Sequence, residues 1–363
     1  MTDSRIPVRL TSTPDITPEE LALAARNHGM PLEALRWDVT PAGLHYLLIH
    51  YDIPVVDPAT WALEVSGRVA RPLRLSLEDL TSRPTRTVTV TMECAGNGRA
   101  RFSPRALSQP WLLEAVGTAE WTGVPLRDVL DEAGVLDDAV EVVFTGLDRG
   151  AEQDGVVEPY ERALEVPAAM GDDVVLAHQI NGQPIAPQHG FPVRLVVPGW
   201  YGMGNVKWLG AIRAVTEPFT GFQNQVAYRL RQTSDEVGSP VTKMEPRALM
   251  IPPGDPDFFT RRRLLAGGPH ELFGRAWSGW APVVAVEVSV DGGTSWAEAK
   301  LSADPVSPYA WRSWTFDWEA SPGEYELCCR ARDGSGRIQP VEADWNLHGF
   351  ANNTVQRVPV TVR

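Results

Sequence analysis

The sequence predicts two regions, an α+β domain followed by a β-sandwich. Helical and strand patterns are mixed up to about residue 230, whereas after about residue 233 short alternating strands follow one another with almost no helical pattern. The 363 residues are enough for two domains that each bury their own core. We therefore expect an N-terminal arm over residues 1–40, a main domain over 41–230 and a second domain over 231–363.

Local patterns predict the elements of the first region. The segment PEELALAARNHG has helical spacing that Gly29 is expected to end, and the arm is expected to wrap the main domain. Residues 76–80 begin a capped helix, and residues 124–130 begin an amphipathic helix that Gly134 closes. The Asn181-Gly182 pair predicts a tight hairpin turn. Alternating apolar residues predict strands at 61–65, 87–92, 141–144 and 193–197.

The second region is predicted from strands alone. Residues 283–290 alternate, Asp291-Gly292-Gly293 is typical of a turn, and a returning strand follows from Trp296. Further strands are predicted at 311–316, 325–330 and 358–362. Short strands at close intervals favour a β-sandwich.

Charge and cysteine content exclude several classes of protein. The formal net charge is −13 and the one dense basic run is Arg261-Arg262-Arg263, so nucleic acid is not an expected partner. No apolar stretch has the length of a signal peptide core or a membrane span. Cys94, Cys328 and Cys329 are few and odd in number, which is typical of a reducing compartment. We expect a cytoplasmic protein, or a periplasmic one if an export signal has been removed.

The segment Met92-Glu93-Cys94-Ala95-Gly96-Asn97-Gly98-Arg99 carries the most chemical information. A thiol follows a strand and is flanked by small residues, so backbone amides can approach a bulky ligand. Arg99 is expected to favour the thiolate, which is the form that binds metal. Taken alone, however, a single cysteine is more often a small buried apolar residue.

A second segment offers positive charge and free backbone amides. His189-Gly190-Phe191-Pro192-Val193-Arg194 is followed by a glycine-containing loop that ends at Lys207. An arginine fork, a lysine point charge and glycine amides suit a phosphate group. The alternative is a structural turn with solvated charges. The glycine spacing matches neither a P-loop nor the dinucleotide fingerprint.

Taken in order, CAGNGR, NGQP, HGFPVR, VKWLG and Trp345-Asn346-Leu347 resemble the sulfite oxidase family of molybdopterin enzymes, from about residue 40 to the C-terminus. The resemblance implies a molybdopterin-binding domain and an immunoglobulin-like domain that forms a homodimer. It implies the molybdenum cofactor and oxo transfer from Mo(VI) to a small anion, sulfite, giving sulfate. No haem attachment segment is visible, so electrons are expected to pass to a separate acceptor such as a cytochrome or oxygen.

The resemblance also implies roles for individual residues. Cys94 would be the thiolate ligand of molybdenum. The expected substrate-side, catalytic residues are Cys94, Arg99, Trp111, Tyr228 and His348. The expected cofactor-binding residues are His50, Cys94, Asn97, Asp148, His189, Arg194, Asn205, Val206 and Lys207.

Two departures from the family pattern concern the anion. Leu48 and His348 stand where the family has arginines that help to hold sulfite, so Arg99 remains as the clear cation. A charge-assisted hydrogen bond is worth roughly 1.5–3 kcal/mol, so losing two weakens sulfite binding by about two to four orders of magnitude unless another group compensates. Protonated His348 is expected to compensate, with activity falling as pH rises. Gly98 is expected to widen the pocket.

Three alternatives remain open from the sequence. The first keeps the cofactor and changes the oxo-transfer substrate to another sulfur compound, a sulfoxide or nitrate. The second is a metal-free hydrolase with Cys94 as nucleophile and His189 or His50 as base. The third is a binding protein in which the Cys94 loop is only structural.

Overall fold

The computed structural model describes residues 8–151, 155–303 and 305–363, so residues 1–7 of the expected arm lie outside it. Strands form most of its regular structure. The α-helices of the described residues are short: α1 (Pro18–Ala24), α2 (Leu77–Thr81), α3 (Leu126–Ala133) and α4 (Val166–Ala169). The helical part of the first region is therefore smaller than the sequence patterns predict.

The strands of the first region form two sheets of five strands, besides a small pair, β1 with β5. In chain order they are β1 (Leu10–Thr11), β2 (Ala62–Gly67), β3 (Leu73–Ser76), β4 (Arg86–Glu93), β5 (Arg105–Ala106), β6 (Val116–Pro125), β7 (Glu141–Ala151), β8 (Val157–Glu165), β9 (Val175–Ile180), β10 (Gln183–Pro184), β11 (Arg194–Val196) and β12 (Leu209–Val215). One sheet has the order β10-β9-β6-β4, with β11 also paired to β9, and the other has the order β3-β2-β12-β7-β8. The β2–β12 pair is parallel.

Several local predictions are confirmed because they rest on short-range geometry. The strand predicted at 87–92 is β4, which ends one residue before Cys94. Asn181 and Gly182 join β9 to β10 with φ values of 50° and 72°, as a tight hairpin requires. Helix α3 ends at Gly134, whose φ is 68°. Ser76 caps α2 through a reciprocal bond with Asp79.

Two expectations about the arm are wrong. Helix α1 ends at Ala24, five residues before Gly29, because Asn27 then bonds across the chain: its amide donates to Gln109 Oε1 (3.0 Å) and accepts from Ile49 N (2.7 Å). The arm also does more than wrap the surface. Met30 and Leu35 are fully buried and belong to the core of the main domain, so apolar burial anchors the arm.

The described residues of the second region form two larger sheets and a small pair, β13 with β14, and contain no helix. Its strands are β13 (Arg229–Leu230), β14 (Ser239–Pro240), β15 (Arg247–Met250), β16 (Asp255–Pro256), β17 (Arg263–Leu265), β18 (Gly268–Trp277), β19 (Val283–Ser289), β20 (Ala297–Glu298), β21 (Lys300–Leu301), β22 (Arg312–Ala320), β23 (Gly323–Asp333) and β24 (Gln356–Val362). The sheets have the orders β15-β18-β22-β21 and β16-β17-β24-β23-β19-β20. Leu272 and Trp314 of the first sheet share one core with Val286 and Leu327 of the second, as in a sandwich.

The two regions share a buried boundary. The main core continues into the second region through Trp277 and Trp311. Trp311 Nε1 donates to Asp38 O (2.7 Å), and Arg275 Nε donates to Leu35 O (2.7 Å). The sandwich therefore supports the main domain directly. No helix among the described residues is long and apolar enough to cross a membrane.

Candidate active site

Cys94 lies at the end of β4, where the chain leaves the sheet. Its amide continues the β4–β6 pairing by donating to Ala115 O (2.9 Å), and its carbonyl accepts from Asn97 N (2.9 Å) to close a turn. Gly98 then takes a φ of 89°, a conformation that glycine adopts without strain. This turn directs the thiol to the point where two cavities meet, since Cys94 lines both.

The first cavity encloses about 680 Å³, including space open to solvent. It is lined by most of the residues that the sequence predicted to bind a cofactor: His50, Cys94, Asp148, His189, Arg194, Asn205 and Lys207. Its wall also contains Tyr46, Tyr160 and His45, which the sequence reasoning missed. These three stand in apolar or mixed surroundings along the chain and carry no local signal.

Two cations line the first cavity, and neither forms a close ion pair with a carboxylate of the described residues. Buried Arg194 donates to His189 O (3.0 Å) and Asn205 O (3.1 Å), whereas its Nε lacks a hydrogen-bond partner within the described chain. Lys207 Nζ donates to Leu48 O (2.7 Å) and Gln188 O (3.1 Å). Burial lowers the pKa of Arg194 to about 10, and burial together with Arg194 lowers that of Lys207 to about 7. A bound anion would relieve this repulsion.

His45, His189 and Asp148 in this cavity are shifted toward their neutral forms. Burial lowers the pKa of His45 to about 4, and burial with nearby His45 and Arg194 lowers that of His189 to about 3. Burial raises the pKa of Asp148 to about 6 against the opposing effects of Lys207 and His50. Near neutral pH the cavity therefore contains a charged Arg194 and a partly charged Lys207 beside a largely ionised Asp148.

Two residues predicted to bind the cofactor line neither cavity. Asn97 bonds the Cys94 turn instead: its amide nitrogen donates to Glu93 Oε1 and Leu113 O, both at 3.0 Å. Val206 is buried in the main core, and its carbonyl accepts from Leu195 N (2.8 Å). Both side chains position the loops around the cavity.

The second cavity encloses about 1490 Å³, again including space open to solvent. All five residues that were predicted on the substrate side line it: Cys94, Arg99, Trp111, Tyr228 and His348. Its described lining contains no aspartate or glutamate, although the whole chain carries a net charge of −13. The cavity is also lined by Arg231, which the sequence reasoning missed because a charged residue next to a short strand is usually solvated.

Arg99 is held rigidly at the wall of the second cavity. Its Nε donates to His348 O (2.7 Å), and its guanidinium carbon lies 5.1 Å from the centre of the Phe350 ring. A Cβ on Gly96 would lie 2.8 Å from that carbon, and one on Gly349 would lie 2.7 Å from Arg99 Cγ. The two glycines therefore make room for this side chain.

The expectation that Arg99 favours the Cys94 thiolate overestimates the effect of that charge on the pKa of the thiol. Burial raises the pKa of the Cys94 thiol, while the backbone of Gly96, the Arg99 charge and the nearby Trp111 side chain oppose this to a smaller extent. Desolvation outweighs the positive neighbour, so a further positive partner at sulfur is needed to hold the thiolate.

Two other expectations about the second cavity are wrong. Burial, Arg231 and Arg99 lower the pKa of His348 to about 4, so His348 is neutral near pH 7 and supplies no compensating charge. Gly98 lines neither cavity. A Cβ there would meet Asn352 O at 2.7 Å, so its small size serves the turn and does not widen the pocket.

Tyr228 lies beside Cys94 and lines both cavities. Burial and the Cys94 thiol raise its pKa to about 12, against the effects of Arg162 and Arg99. The Arg162 guanidinium lies 5.5 Å from the centre of the Tyr228 ring, another contact that the sequence does not reveal. Tyr228 therefore keeps its phenolic proton at neutral pH and can donate it in a hydrogen bond.

The arrangement suits a ligand that carries both an anionic group and a metal that the Cys94 sulfur can bind. Lys207 and the Nε of Arg194 can bind a phosphate, and Cys94 offers a soft ligand in the same cavity. The described residues contain no cluster of three or more His, Cys, Asp or Glu side chains that could hold a metal ion. These features fit a metal carried by a phosphorylated organic cofactor.

Comparison with known proteins agrees with this chemistry. Residues 50–223 match the family described as oxidoreductase molybdopterin binding domain, and residues 241–363 match the Mo-co oxidoreductase dimerisation domain. The fold and the paired cavities thus define a molybdopterin-binding oxidoreductase.

The chain is 37% identical over 350 residues to sulfite oxidase of Gallus gallus, covering 88% of this chain and 72% of that protein. It is 34% identical over 348 residues to mitochondrial sulfite oxidase of Mus musculus, covering 89% of this chain but only 62% of the relative. The chain belongs to the sulfite oxidase family.

Two more distant relatives carry other activities in their names. A nitrate reductase [NAD(P)H] of Hordeum vulgare is 31% identical over 383 residues, covering 98% of this chain and 42% of the relative. The solved structure of the sulfane dehydrogenase SoxCD from Paracoccus pantotrophus superposes with a TM-score of 0.80 at 25% identity, covering 100% of this chain and 95% of that one.

Proposed function

We propose that the protein is a molybdenum-cofactor-dependent enzyme that oxidises sulfite to sulfate. The observation that carries the proposal is the position of Cys94, which lines both a cavity that contains Arg194 and Lys207 and a second cavity that has arginines and no described carboxylate. The similarity to sulfite oxidases supports the same substrate. In net terms, sulfite and water give sulfate, two protons and two electrons.

The first cavity would hold the cofactor. Cys94 would bind molybdenum through sulfur, and Arg194, Lys207 and His189 would hold the phosphate. His50, Asp148 and Asn205 line the remaining wall, while Asn97 and Val206 keep the loops in place. When bound, the cofactor supplies oxo transfer and two-electron redox chemistry.

The second cavity would hold the substrate. Arg99 binds an oxyanion through charge-assisted hydrogen bonds. Tyr228 keeps its phenolic proton, because its pKa is raised to about 12, and donates a hydrogen bond to the anion. Neutral His348 can donate from Nε2, which has no hydrogen-bond partner among the described residues. Trp111 packs beside Cys94 and limits water at the thiol.

The proposal extends to the partners. Electrons would pass to a separate acceptor, a cytochrome or oxygen, without a haem in this chain. The second region would be immunoglobulin-like and would form the homodimer, which the match to a dimerisation domain supports. We further propose a cytoplasmic protein.

A different oxo-transfer substrate is the second candidate. Leu48 lies at the junction of the two cavities, and His348 is neutral, so two charges that the family pattern leads one to expect are absent. A sulfur compound other than sulfite, a sulfoxide or nitrate would need fewer charges. The family match disfavours the metal-free hydrolase and the binding protein.

The test is to purify the protein from a host that makes the cofactor. We expect about one molybdenum and one pterin per chain, and sulfite-dependent reduction of ferricyanide or cytochrome c. Nitrate and a sulfoxide should be turned over far more slowly under the same conditions. Molybdenum-loaded protein that reduces a sulfoxide or nitrate and ignores sulfite would favour the second candidate, and folded protein without metal would overturn the first proposal.

Without cofactor, the protein should lose stability in mild acid. His45 and His189 are neutral in the fold, with pKa values lowered to about 4 and about 3, whereas in the unfolded chain they titrate near 6.5. Above pH 6.5 both histidines are neutral in the folded and the unfolded chain, so they do not make stability depend on pH. Below pH 6.5 the unfolded chain binds protons that the folded protein does not, and this favours unfolding. Each histidine should remove about 1.4 kcal/mol per pH unit below about pH 6.

The measurement is the free energy of unfolding in urea at pH 7 and pH 5. His45→Gln should reduce the slope by the contribution of one histidine, about 1.4 kcal/mol per pH unit, while His270→Gln on β18 should leave it unchanged. An unaltered slope in the His45 variant would contradict the assignment.

A further inference from the structure

We infer that Arg231 is the second cation of the substrate cavity, and that it binds the anion together with Arg99. The inference deepens the proposed function, because it concerns how the same cavity holds a doubly charged oxyanion. It answers the question raised by Leu48 and His348, which replace two expected positive charges with an apolar and a neutral group.

The first support is location. Arg231 follows β13 and lines the same cavity as Cys94, Arg99 and His348. Its exposed fraction is 7%, so its charge is directed into the protein and not into bulk water. Burying a guanidinium costs free energy that an anionic ligand can offset.

The second support is the loop that both arginines contact. Arg99 Nε donates to His348 O (2.7 Å), while Arg231 O accepts from Leu347 N (2.9 Å). The Arg99 side chain and the Arg231 backbone therefore contact the same short loop, although the two residues lie far apart in sequence. Both arginines line the cavity that His348 lines, and the charges of both lower the pKa of His348.

The third support is the charge of the described wall of the cavity. The described lining holds Arg9, Arg99 and Arg231 but no aspartate or glutamate. In a chain whose net charge is −13, a wall of one sign attracts anions against the overall field. The fork of Arg231 suits two oxygens of a sulfur oxyanion.

Sulfate binding to the cofactor-loaded protein tests the inference without turnover. We expect Arg231→Gln to raise the sulfate Kd about 10- to 100-fold, which is the effect of one lost charge-assisted hydrogen bond. Arg231→Lys keeps the charge and should recover part of the affinity. Arg213→Gln changes the net charge equally, but Arg213 is exposed and lies outside both cavities, so its sulfate Kd should stay within about twofold of the wild-type value.

Sulfite kinetics give the second readout. In Arg231→Gln the KM for sulfite should rise by a similar factor, while kcat changes less because the reacting centre is untouched. Molybdenum content and the urea midpoint identify a variant that has not folded, in which case Arg231→Lys and Arg231→Met carry the test. Wild-type sulfate Kd and sulfite KM in folded Arg231→Gln would overturn the inference. Loaded wild-type protein that binds sulfate but does not oxidise sulfite would instead overturn the proposed function.

Discussion

Replacing Cys94 by serine is expected to reduce sulfite oxidation by more than about 100-fold, since disturbing even an outer partner of a metal ligand costs roughly 10- to 100-fold in metal affinity or activity. The serine oxygen is a harder ligand and does not ionise near neutral pH, whereas a thiolate binds soft metal centres well. Cys94 is buried, with 9% of its surface exposed. Neither of the other two cysteines can substitute for it, because both lie in the sandwich strand β23.

The measurement combines turnover with metal and pterin content. Cys328→Ser is the matched control: it also removes a buried thiol, but it lies outside both cavities, so molybdenum content and turnover should remain close to wild type. Because the first cavity keeps Arg194 and Lys207, the Cys94 variant should retain some pterin. Wild-type activity in folded Cys94→Ser protein would refute the role of this sulfur.

Replacing Arg247 by methionine is expected to destabilise the protein by about 3–5 kcal/mol, the usual cost of leaving one charge of a buried pair alone. Arg247 Nε lies 3.1 Å from Glu93 Oε1, and both side chains are only 1% exposed. Glu93 Oε2 also accepts from Trp277 Nε1 (2.9 Å), and Glu93 Oε1 from Asn97. The pair thus fastens the residue before Cys94 to the second region.

Urea unfolding checks this expectation, with a double variant as its internal test. Adding Glu93→Gln to Arg247→Met removes the stranded carboxylate and should recover part of the lost stability. Arg337→Met breaks a half-exposed pair with Glu245 and should cost less than about 1 kcal/mol. If Arg247→Met lowers the free energy of unfolding by less than about 1 kcal/mol, or if the double variant recovers none of the loss, the importance of this pair is contradicted.

The sequence predicted the parts of the site that depend on neighbours along the chain. Strand β4, the turn after Cys94 and the hairpin at Asn181 follow from alternation and from residues that accept positive φ. The ordered motifs located the lysine and arginine of the first cavity. Arg162 and Arg231 could not be found in this way, because no local pattern distinguishes a buried arginine from a solvated one.

Protonation states were also beyond the sequence. His348 was expected to be charged from its ordinary pKa, but burial and two arginines from distant segments keep it neutral. Cys94 was expected to be a thiolate because of Arg99, yet desolvation has the larger effect. Both errors have one cause, since desolvation depends on what packs around a group in space.

The amino-acid order alone determined where strands, turns and the thiol-bearing loop lie, because backbone preferences and apolar alternation act over a few residues. Only the tertiary structure decided that Cys94 joins two cavities and that Arg99, Arg231 and His348 meet in one of them. Those contacts join segments more than a hundred residues apart. The packing of sheets and domains brings such segments together, and it also sets the exclusion of water that determines their charge.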